Sequence, residues 1–383
     1  MLINQTQLTT PPTAAGVAVF KVIEPNLMLA FGNVRFFADG SLGKFLRAQF
    51  PNCLVIGCST AGEIVGGAVY HDTLVLTAVR FGQDELTLAC EAIADASTSR
   101  ATGEHLGKTL RAQGAEAVFV LAPGVNINGS DMVAGMTAVL GDQIPVTGGL
   151  AGDDVKFEKT YTLFNDNITT DTVVALGLKG QAAQLAYGSQ GGWKPFGPER
   201  RVTRASGNIL YELDGKSALQ LYKEYLGDKA KDLPASGLYY PFVVRSDSAG
   251  HAGVIRTILN IDEKAGSLIL AGNMPMGAVV QLMHAKTEGL IGGAANACQE
   301  ATAQLRQLDS TAQLGILISC VGRKLVMGDD VDEEVGVIRA ALGDSAVLTG
   351  FYSYGEICPF QGQVKKPHLH NQTMTVTLFG QTV

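Results

Sequence analysis

Charged residues are scarce in this sequence, and basic residues show no excess. Charged side chains make up 17% of the 383 residues, with 29 lysines and arginines against 36 aspartates and glutamates. Nucleic acids and anionic membranes are bound mainly by clustered basic side chains, and the basic residues here are scattered. The composition therefore argues against a protein that binds nucleic acid or acidic membrane surfaces.

Long apolar runs are also missing. The N-terminal stretch MLINQTQLTTPPTAAG has neither the basic start nor the apolar core of a signal peptide. No later run approaches the length that a membrane span requires. We therefore expect a cytoplasmic protein without membrane insertion.

Cysteine is infrequent and never occurs in a metal-binding or redox spacing. The six cysteines are dispersed, without a CxxC pair or a haem-attachment CxxCH, so we expect most of them to be reduced core residues. Apolar residues, at 46%, and 46 glycines are abundant by contrast. A chain of this length and composition predicts an ordered globule of two domains or one large duplicated domain.

A short pattern occurs three times along the chain. It consists of an apolar strand, a glycine with a nearby hydroxyl residue, a few small residues, and a glycine followed by a carboxylate. The copies are CLVIGCSTAGEI (53–64), IPVTGGLAGDD (144–154) and AVLTGFYSYGEI (346–357). Each copy is followed, after a variable loop, by a threonine and another apolar strand: Thr73-LVLTAVRFG, Thr172-VVALGLKG and Thr373-MTVTLFG. Three copies indicate internal duplication.

The repeated pattern predicts a loop at the end of a buried strand. Gly57, Gly148 and Gly350 can adopt backbone angles that are closed to other residues. The carboxylates of Glu63, Asp153 and Glu356 follow directly beyond the turn. Beside exposed backbone N–H groups they could bind a polar ligand, or they could simply cap loops that join two strands. The pattern alone leaves both interpretations open.

The order of predicted elements is repeated in the two halves of the chain. In the first half the strands are 16–22, 26–31, 85–93 and 117–122, and the helices are 41–50, 102–113 and 130–140. In the second half we predict strands 240–244, 254–261, 278–283 and 314–320, a loop at 321–328, and helices 216–226, 287–308 and 331–342. Alternating strands and helices predict an α/β fold of two pseudo-duplicated halves, with packed mixed sheets, outer helices and the motif loops near the interface.

The glycine- and proline-rich stretch 188–204, GSQGGWKPFGPERRVTR, carries the only tryptophan and divides the two halves. We therefore place the domain boundary there, between residues 1–196 and 197–383.

Several of these segments together resemble the FIST family. They are GCSTAGEI, GGLAGDD, the helix SALQLYKEYLG, the strand end ISCVGR and the ending FYSYGEI to HNQT. The resemblance runs from about Pro25 to the C-terminus and implies a FIST N-terminal domain at 1–196 and a FIST C-terminal domain at 197–383. Family members are sensory modules of bacterial signalling, so the resemblance implies ligand sensing rather than enzymatic turnover. Because the sequence has no kinase or cyclase segment, it implies a signal passed to a separate histidine kinase or other signalling protein.

Some FIST proteins of similar length bind haem and sense nitric oxide, which makes haem the cofactor that the resemblance suggests. Haem iron needs an axial ligand in a dry pocket. Among six histidines we favour His284 and His251, because both lie at the ends of predicted strands. Leu282, Met283, Ile255 and Ile258 would wall the pocket. The alternative is that both are ordinary surface histidines. His368 and His370 share a strand face but lack a third metal ligand.

A polar ligand is the alternative to haem. Glu356 and Arg323 supply the anionic and cationic partners that a zwitterion such as an amino acid requires. Ser353, Tyr354, Glu63 and Asp153, from the same motif loops, complete this predicted ligand-binding set.

The enzymatic alternatives are a thiol enzyme that uses Cys320 beside Arg323 and a hydrolase that uses the motif carboxylates. A buried structural cysteine is the simpler interpretation of Cys320. Ser59 lacks the glycine spacing of a nucleophile elbow. We therefore do not predict an enzyme.

Overall fold

The computed structural model describes residues 1–82, 85–245, 253–360 and 365–382. Within these residues the strands form four sheets, and three of the sheets share one plan. We refer to the three repeated parts of the chain as the first, second and third units.

The first unit has one α-helix and four principal strands beside a hairpin. Its elements are β1 (Leu2–Leu8), β2 (Leu27–Gly32), α1 (Ser41–Gln49), β3 (Leu54–Ser59), β4 (Glu63–Val65), β5 (Ala68–Tyr70) and β6 (Leu74–Arg80). β2 and β3 are parallel, and β6 lies antiparallel between β1 and β2. The predicted strand at 16–22 is wrong, because residues Ala18–Ile23 form a 3-10 helix. Val17 and Phe20, three residues apart, are buried there while Val19 and Val22 are exposed.

The second unit repeats this plan with longer helices. Its elements are β7 (Leu86–Ala92), α2 (Ser99–Ala112), β8 (Ala117–Ala122), α3 (Gly129–Leu140), β9 (Val146–Leu150), β10 (Thr162–Phe164), β11 (Asn167–Thr169) and β12 (Thr172–Leu178). The predicted helices and strands of this region are confirmed to within three residues. The apolar spacing that located them is the spacing that the core requires.

The third unit begins with β13 (Leu185–Gln190) and is interrupted by an inserted subdomain, residues 194–284. The subdomain contains β14 (Lys194–Ser206), β15 (Ile209–Leu213), β16 (Lys216–Ser217), α4 (Ala218–Leu226), β17 (Phe242–Arg245), β18 (Val254–Arg256), β19 (Ile258–Asp262), β20 (Ser267–Leu270) and β21 (Val279–His284). The predicted pairing of the strands near 240 and 254 is confirmed, with Val243 opposite Ile255. The predicted domain boundary at 196/197 lies inside β14.

The third unit resumes after the inserted subdomain. Its elements are α5 (Thr287–Gln307), β22 (Ser310–Cys320), α6 (Val321–Met327), α7 (Val331–Leu342), β23 (Val347–Ser353), β24 (Gly355–Pro359), β25 (Pro367–His370) and β26 (Met374–Thr382). The loop predicted at 321–328 is instead the short helix α6. Its residues Val321 and Met327 are buried under the sheet.

The three units exchange hairpins in a cycle. The sheet orders are β1-β6-β2-β3-β10-β11 in the first unit, β7-β12-β8-β9-β24-β25 in the second and β13-β26-β22-β23-β4-β5 in the third. Each sheet therefore ends in a hairpin from another unit: the first donates to the third, the third to the second, and the second to the first. The predicted α/β fold with packed mixed sheets is confirmed, and the duplication extends to a third copy.

The three sheets pack against each other in a core without helices. Phe31, Phe119 and Ile316, one from the central strand of each sheet, belong to this core and are almost fully buried. The Phe31 and Phe351 rings lie 4.8 Å apart between centroids. Helices cover the outer faces, where Leu46 of α1, Leu106 of α2 and Leu290 of α5 are buried. This arrangement brings the carboxyl ends of the motif strands together.

No helix in the described part of the chain combines the length and apolarity needed to cross a bilayer.

Candidate functional site

The three motif loops meet at the centre of the molecule. The Ala61 amide donates to the Tyr352 carbonyl at 2.8 Å, and the Gly152 amide donates to the Ser59 carbonyl at 2.9 Å. A third contact joins the Tyr354 amide to the Leu150 carbonyl at 3.3 Å. The expectation that the motif loops gather near an interface is therefore confirmed.

Glu63 and Glu356 make the same set of contacts in their two units. Glu63 accepts hydrogen bonds from the Thr60 hydroxyl at 2.5 Å and from the Thr73 amide and hydroxyl at 3.1 and 2.8 Å. Glu356 accepts from the Ser353 hydroxyl at 2.7 Å and from the Thr373 amide and hydroxyl at 3.2 and 3.0 Å. Each carboxylate therefore ties its motif loop to the start of the following strand.

Both glutamates are buried, Glu63 with 1% and Glu356 with 0% of the residue exposed. Burial raises the pKa of Glu356 to about 8 and raises that of Glu63, although the hydrogen bonds from the neighbouring hydroxyls and amides oppose the change. Their predicted role in ligand binding is untested. The contacts that they make are structural ones within the chain.

Asp153 organises the loop that follows the second motif. Its carboxylate accepts from the amides of Phe157, Glu158 and Lys159 at 2.7 to 2.9 Å, and from the Tyr354 hydroxyl. The Tyr354 ring stacks on Phe157 with 4.1 Å between ring centroids. Tyr354 and Asp153, which were predicted to bind ligand, therefore contact each other across the second and third units.

Arg323 lies at the centre of a buried polar network. Its guanidinium pairs with the Glu334 carboxylate at 2.5 Å, with both side chains 0% exposed, and it also donates to the carbonyls of Leu290, Gly191 and Gln372. Glu334 additionally accepts from the hydroxyls of Ser319 and Tyr352. Arg323 is thus neutralised by Glu334, a residue that the sequence interpretation did not pair with it.

Cys320 is 5% exposed, and burial raises the pKa of its thiol, with the nearby Glu356 charge acting in the same direction. A nucleophilic cysteine requires the opposite change. All six cysteines are unpaired and five are buried, as expected for reduced core residues.

His284 lines an open groove of about 870 Å³ between the inserted subdomain and the third unit. Phe196 and Tyr240 come from the subdomain, whereas Lys286, Asp330 and Glu333 come from the third unit. The His284 ring meets the Phe196 ring edge to face at 5.5 Å. Sequence reasoning identified His284 but missed the other lining residues, because no local pattern signals a groove between distant segments.

If haem bound in this groove, His284 would be the residue available to hold its iron, and Lys229 and Lys286 would offer positive charge to its carboxylates. The residues expected to wall a haem pocket do not do so, since Leu282 and Ile258 belong to the subdomain core and Met283 and Ile255 to the larger core. Charged side chains line much of the groove instead. The imidazole suits haem, but the polar lining suits a small polar ligand better. His251 lies outside the described residues.

Lys324 forms a second polar cluster beside the motif loops. Its ammonium donates to the Ala61 carbonyl at 2.5 Å and lies 3.2 Å from His71 Nδ1 and 3.9 Å from the Asp154 carboxylate. Burial lowers the pKa of Lys324, and burial together with the Lys324 charge lowers the pKa of His71. No sequence signal joined these residues, because Lys324 lies on α6 whereas His71 and Asp154 lie in loops of the first and second units.

No group of three or more His, Cys, Asp or Glu side chains suited to a metal ion occurs in the parts of the chain that the structure describes. His370 is 2% exposed, and its Nε2 lies 2.9 Å from the Cys358 carbonyl.

Comparison with known proteins gives relatives of uncharacterised function. A protein of Methanocaldococcus jannaschii is 28% identical over 201 residues, 49% of this chain and 38% of the relative. One of Mycobacterium bovis is 30% identical over 250 residues, 63% and 60% of the two chains. One of Mycobacterium tuberculosis is 26% identical over 344 residues, 87% and 85% of the two chains. The matched segments thus span less than two thirds of the first two relatives.

Among solved structures, cyanuic acid hydrolase from A. caulinodans aligns over 100% of this chain and 99% of its own, with a TM-score of 0.39 and 10% identity. That likeness is too low to carry an argument about function. Family models match much more directly: a FIST N domain matches residues 26–216 and a FIST C domain matches residues 218–359. FIST domains are associated with sensing and signal transduction. The two matches account for most of the chain, which therefore belongs to the FIST family.

Proposed function

We propose that this FIST protein is a ligand-sensing signal-transduction protein whose ligand binds in the groove beside His284. The position of the groove supports this proposal: it is about 870 Å³ in volume and lies where the inserted subdomain meets the third unit. Ligand sites occur preferentially at such junctions.

The groove lining supports a small zwitterion, such as an amino acid, as the ligand. Lys229 and Lys286 can pair with a carboxylate, while Glu288, Asp330 and Glu333 can pair with an ammonium group. Phe196, Tyr240 and Ile291 provide apolar surface for a side chain. The groove therefore offers what was first expected of Glu356 and Arg323, which are buried and paired within the chain.

A ligand in the groove can change the arrangement of the two parts that form it. His284 is the last residue of β21, and α5 begins three residues later at Thr287. A ligand that contacts both sides favours the conformation in which the groove is closed, and only such differential binding can transmit a signal. The signal would then pass to a separate signalling protein.

Calorimetric titration with a panel of amino acids tests this proposal, with Trp193 fluorescence as a second readout. Trp193 directly precedes Lys194, which lies opposite His284 in the sheet. We expect one panel member to bind and binding to weaken at least about tenfold in Glu333→Gln, because a charge-assisted contact is lost. Glu104→Gln on α2, the same substitution at a site away from the groove, is the matched control. Absence of binding, or equal binding by Glu333→Gln and wild type, would refute the proposal.

A haem-based nitric oxide sensor that regulates a histidine kinase is the second candidate, supported by the His284 imidazole in the groove. His284 would hold the haem iron through its imidazole, and haem would supply the site that binds the gas. Adding haemin and recording the absorption spectrum tests this idea. A Soret band that His284→Ala abolishes supports it, and a protein that takes up no haemin excludes it.

A further inference from the structure

Two arginines occupy equivalent places in the first and third units. Arg35 donates to the Thr9 and Asp72 carbonyls at 2.8 and 2.5 Å. Arg323 donates to the equivalent carbonyls, those of Gly191 and Gln372, at 2.5 and 3.2 Å. In both units the guanidinium thus connects two backbone carbonyls. One belongs to the residue just beyond the edge strand, and the other belongs to the residue two places before the last strand.

The register of the parallel strands identifies the corresponding place in the second unit. The motif glycines Gly57, Gly148 and Gly350 lie opposite Ala30, Val120 and Leu317. The interval from Ala30 to Arg35 equals the interval from Val120 to Val125. The interval from Leu317 to Arg323 equals the interval from Val120 to Asn126. The second unit therefore has valine and asparagine where its two counterparts carry an arginine.

An open pocket of about 250 Å³ lies at this place in the second unit. Val125 and Asn126 line it, together with Ile93, Thr160, Glu158 and Asp171. Asp171 is the counterpart of Asp72 and Gln372, since each directly precedes the threonine before the last strand. By strand register, the pocket therefore lies at the position that corresponds to the guanidinium positions of the other two units.

The charges around this pocket favour a cation. Glu158 and Asp171 are exposed, and neither forms a salt bridge within the described ranges of the chain, although Asp171 accepts a hydrogen bond from the Thr172 hydroxyl at 3.4 Å. Lys159 also lines the pocket, but its ammonium lies over the Tyr161 ring, 5.4 Å from the centroid. The backbone differs from the other units, because the Asp171 carbonyl accepts from the Ile93 amide at 2.7 Å. A ligand would thus rely mainly on the two carboxylates.

We propose that the second unit binds the guanidinium group of a small alkylguanidinium compound in this pocket. A planar guanidinium presents five donors in a fixed fork and can bridge two acceptors, whereas an ammonium group acts as a point charge. The chain itself places guanidinium groups at both equivalent positions, which is why the site should prefer this shape. This site is separate from the groove beside His284 and does not depend on it.

Isothermal titration calorimetry with ethylguanidinium, ethylammonium and N-ethylurea in the millimolar range tests the proposal on the full chain. We expect ethylguanidinium to bind and the neutral urea not to bind. Ethylammonium should bind at least about tenfold more weakly, because its three N–H donors radiate from one nitrogen and lack the planar fork that spans two separated acceptors. Equal binding of the two cations, or no binding of ethylguanidinium, would overturn the proposal.

Substitutions locate the site. Val125→Arg should place an internal guanidinium in the pocket, as Arg35 does in the first unit, and should abolish ethylguanidinium binding. Position 126 is less suitable because Asn126 has φ of 59°, which disfavours a long side chain. Asp171→Asn, which removes the charge and replaces one acceptor oxygen with a donor, should weaken binding about tenfold. Glu104→Gln on α2 is the control. Unchanged binding in both Val125→Arg and Asp171→Asn would show that the site lies elsewhere.

Discussion

Arg323 and Glu334 are both excluded from solvent, and the structure compensates each charge with the other and with surrounding polar groups. Five hydrogen-bond partners other than the pair itself surround them: three carbonyls and the hydroxyls of Ser319 and Tyr352. Buried pairs of this kind are costly to break, because the remaining charge stays in a medium of low dielectric. At the residue scale, the contacts of Arg323 and Glu334 are therefore with each other and with the rest of the chain.

Arg323→Leu should destabilise the protein by about 3–5 kcal/mol, because it leaves the Glu334 carboxylate buried without its cation. Urea unfolding of the variant measures this loss. Adding Glu334→Gln should recover part of it. Arg35→Leu is the matched control, since Arg35 is exposed and its loss should cost about 1 kcal/mol. A similar loss in both single variants would contradict the assignment of a buried ion pair.

Glu356 should make stability depend on pH. Its pKa is raised from 4.5 to about 8, so between these values the folded chain retains a proton that the unfolded chain has released. The free energy of unfolding should therefore fall as pH rises through this window, with a slope of at most about 1.4 kcal/mol per pH unit from this group. Glu356→Gln should remove that contribution. Parallel pH profiles of wild type and variant would contradict it.

At the scale of the secondary-structure element, the three motif glycines determine how closely two parallel strands can pack. A Cβ atom on Gly57, Gly148 or Gly350 would lie 1.8 to 2.1 Å from a carbonyl oxygen of the neighbouring parallel strand. Gly148 and Gly350 also have φ of 144° and 158°, a region that disfavours side chains. The repeated glycine therefore allows a close approach of the two strands at which the loops begin.

Gly350→Ala should be strongly destabilising, by more than about 2 kcal/mol, because the contact is with backbone that cannot move aside. Gly336→Ala in α7 is the matched control, since a Cβ there meets nothing within 4 Å. It should be neutral or stabilising by about 0.5–1 kcal/mol, as expected in a helix interior. Thermal unfolding of both variants checks the contrast, and equal melting temperatures would contradict it.

Helices and buried strands could be predicted because their apolar spacing reflects the faces that they bury, as in β8 and α7. β1 was missed because its residues LINQTQL are mostly polar, and the role of α6 was hidden by a glycine that suggested a loop. The candidate site was harder. Glu356 and Arg323 were recognised from the motifs, but their buried polar groups are hydrogen-bonded by Thr373 and Glu334, and these contacts arise only after folding. The groove beside His284 joins segments that share no local pattern.

The exchange of hairpins makes the three units interdependent at the scale of the whole molecule. β4 and β5 of the first unit extend the sheet of the third, where Glu63 lies opposite Phe351. β24 of the third unit pairs with β9 of the second, with Glu356 opposite Gly149. A division at 196/197 would therefore separate both hairpins from the sheets that they complete and leave strand edges without partners.

Fragments 1–196 and 197–383, expressed separately, should not fold to native-like structures, and their co-expression should restore a folded complex. Each fragment alone lacks a hairpin of its own sheet and exposes part of the core shared by Phe31, Phe119 and Ile316. Two-dimensional NMR spectra of the fragments, of the complex and of the intact chain measure this directly. If either fragment alone gave the dispersed resonances that it shows in the intact chain, the hairpins would contribute little to folding. The groove beside His284, which the fragment 197–383 contains almost entirely, could then be studied in isolation.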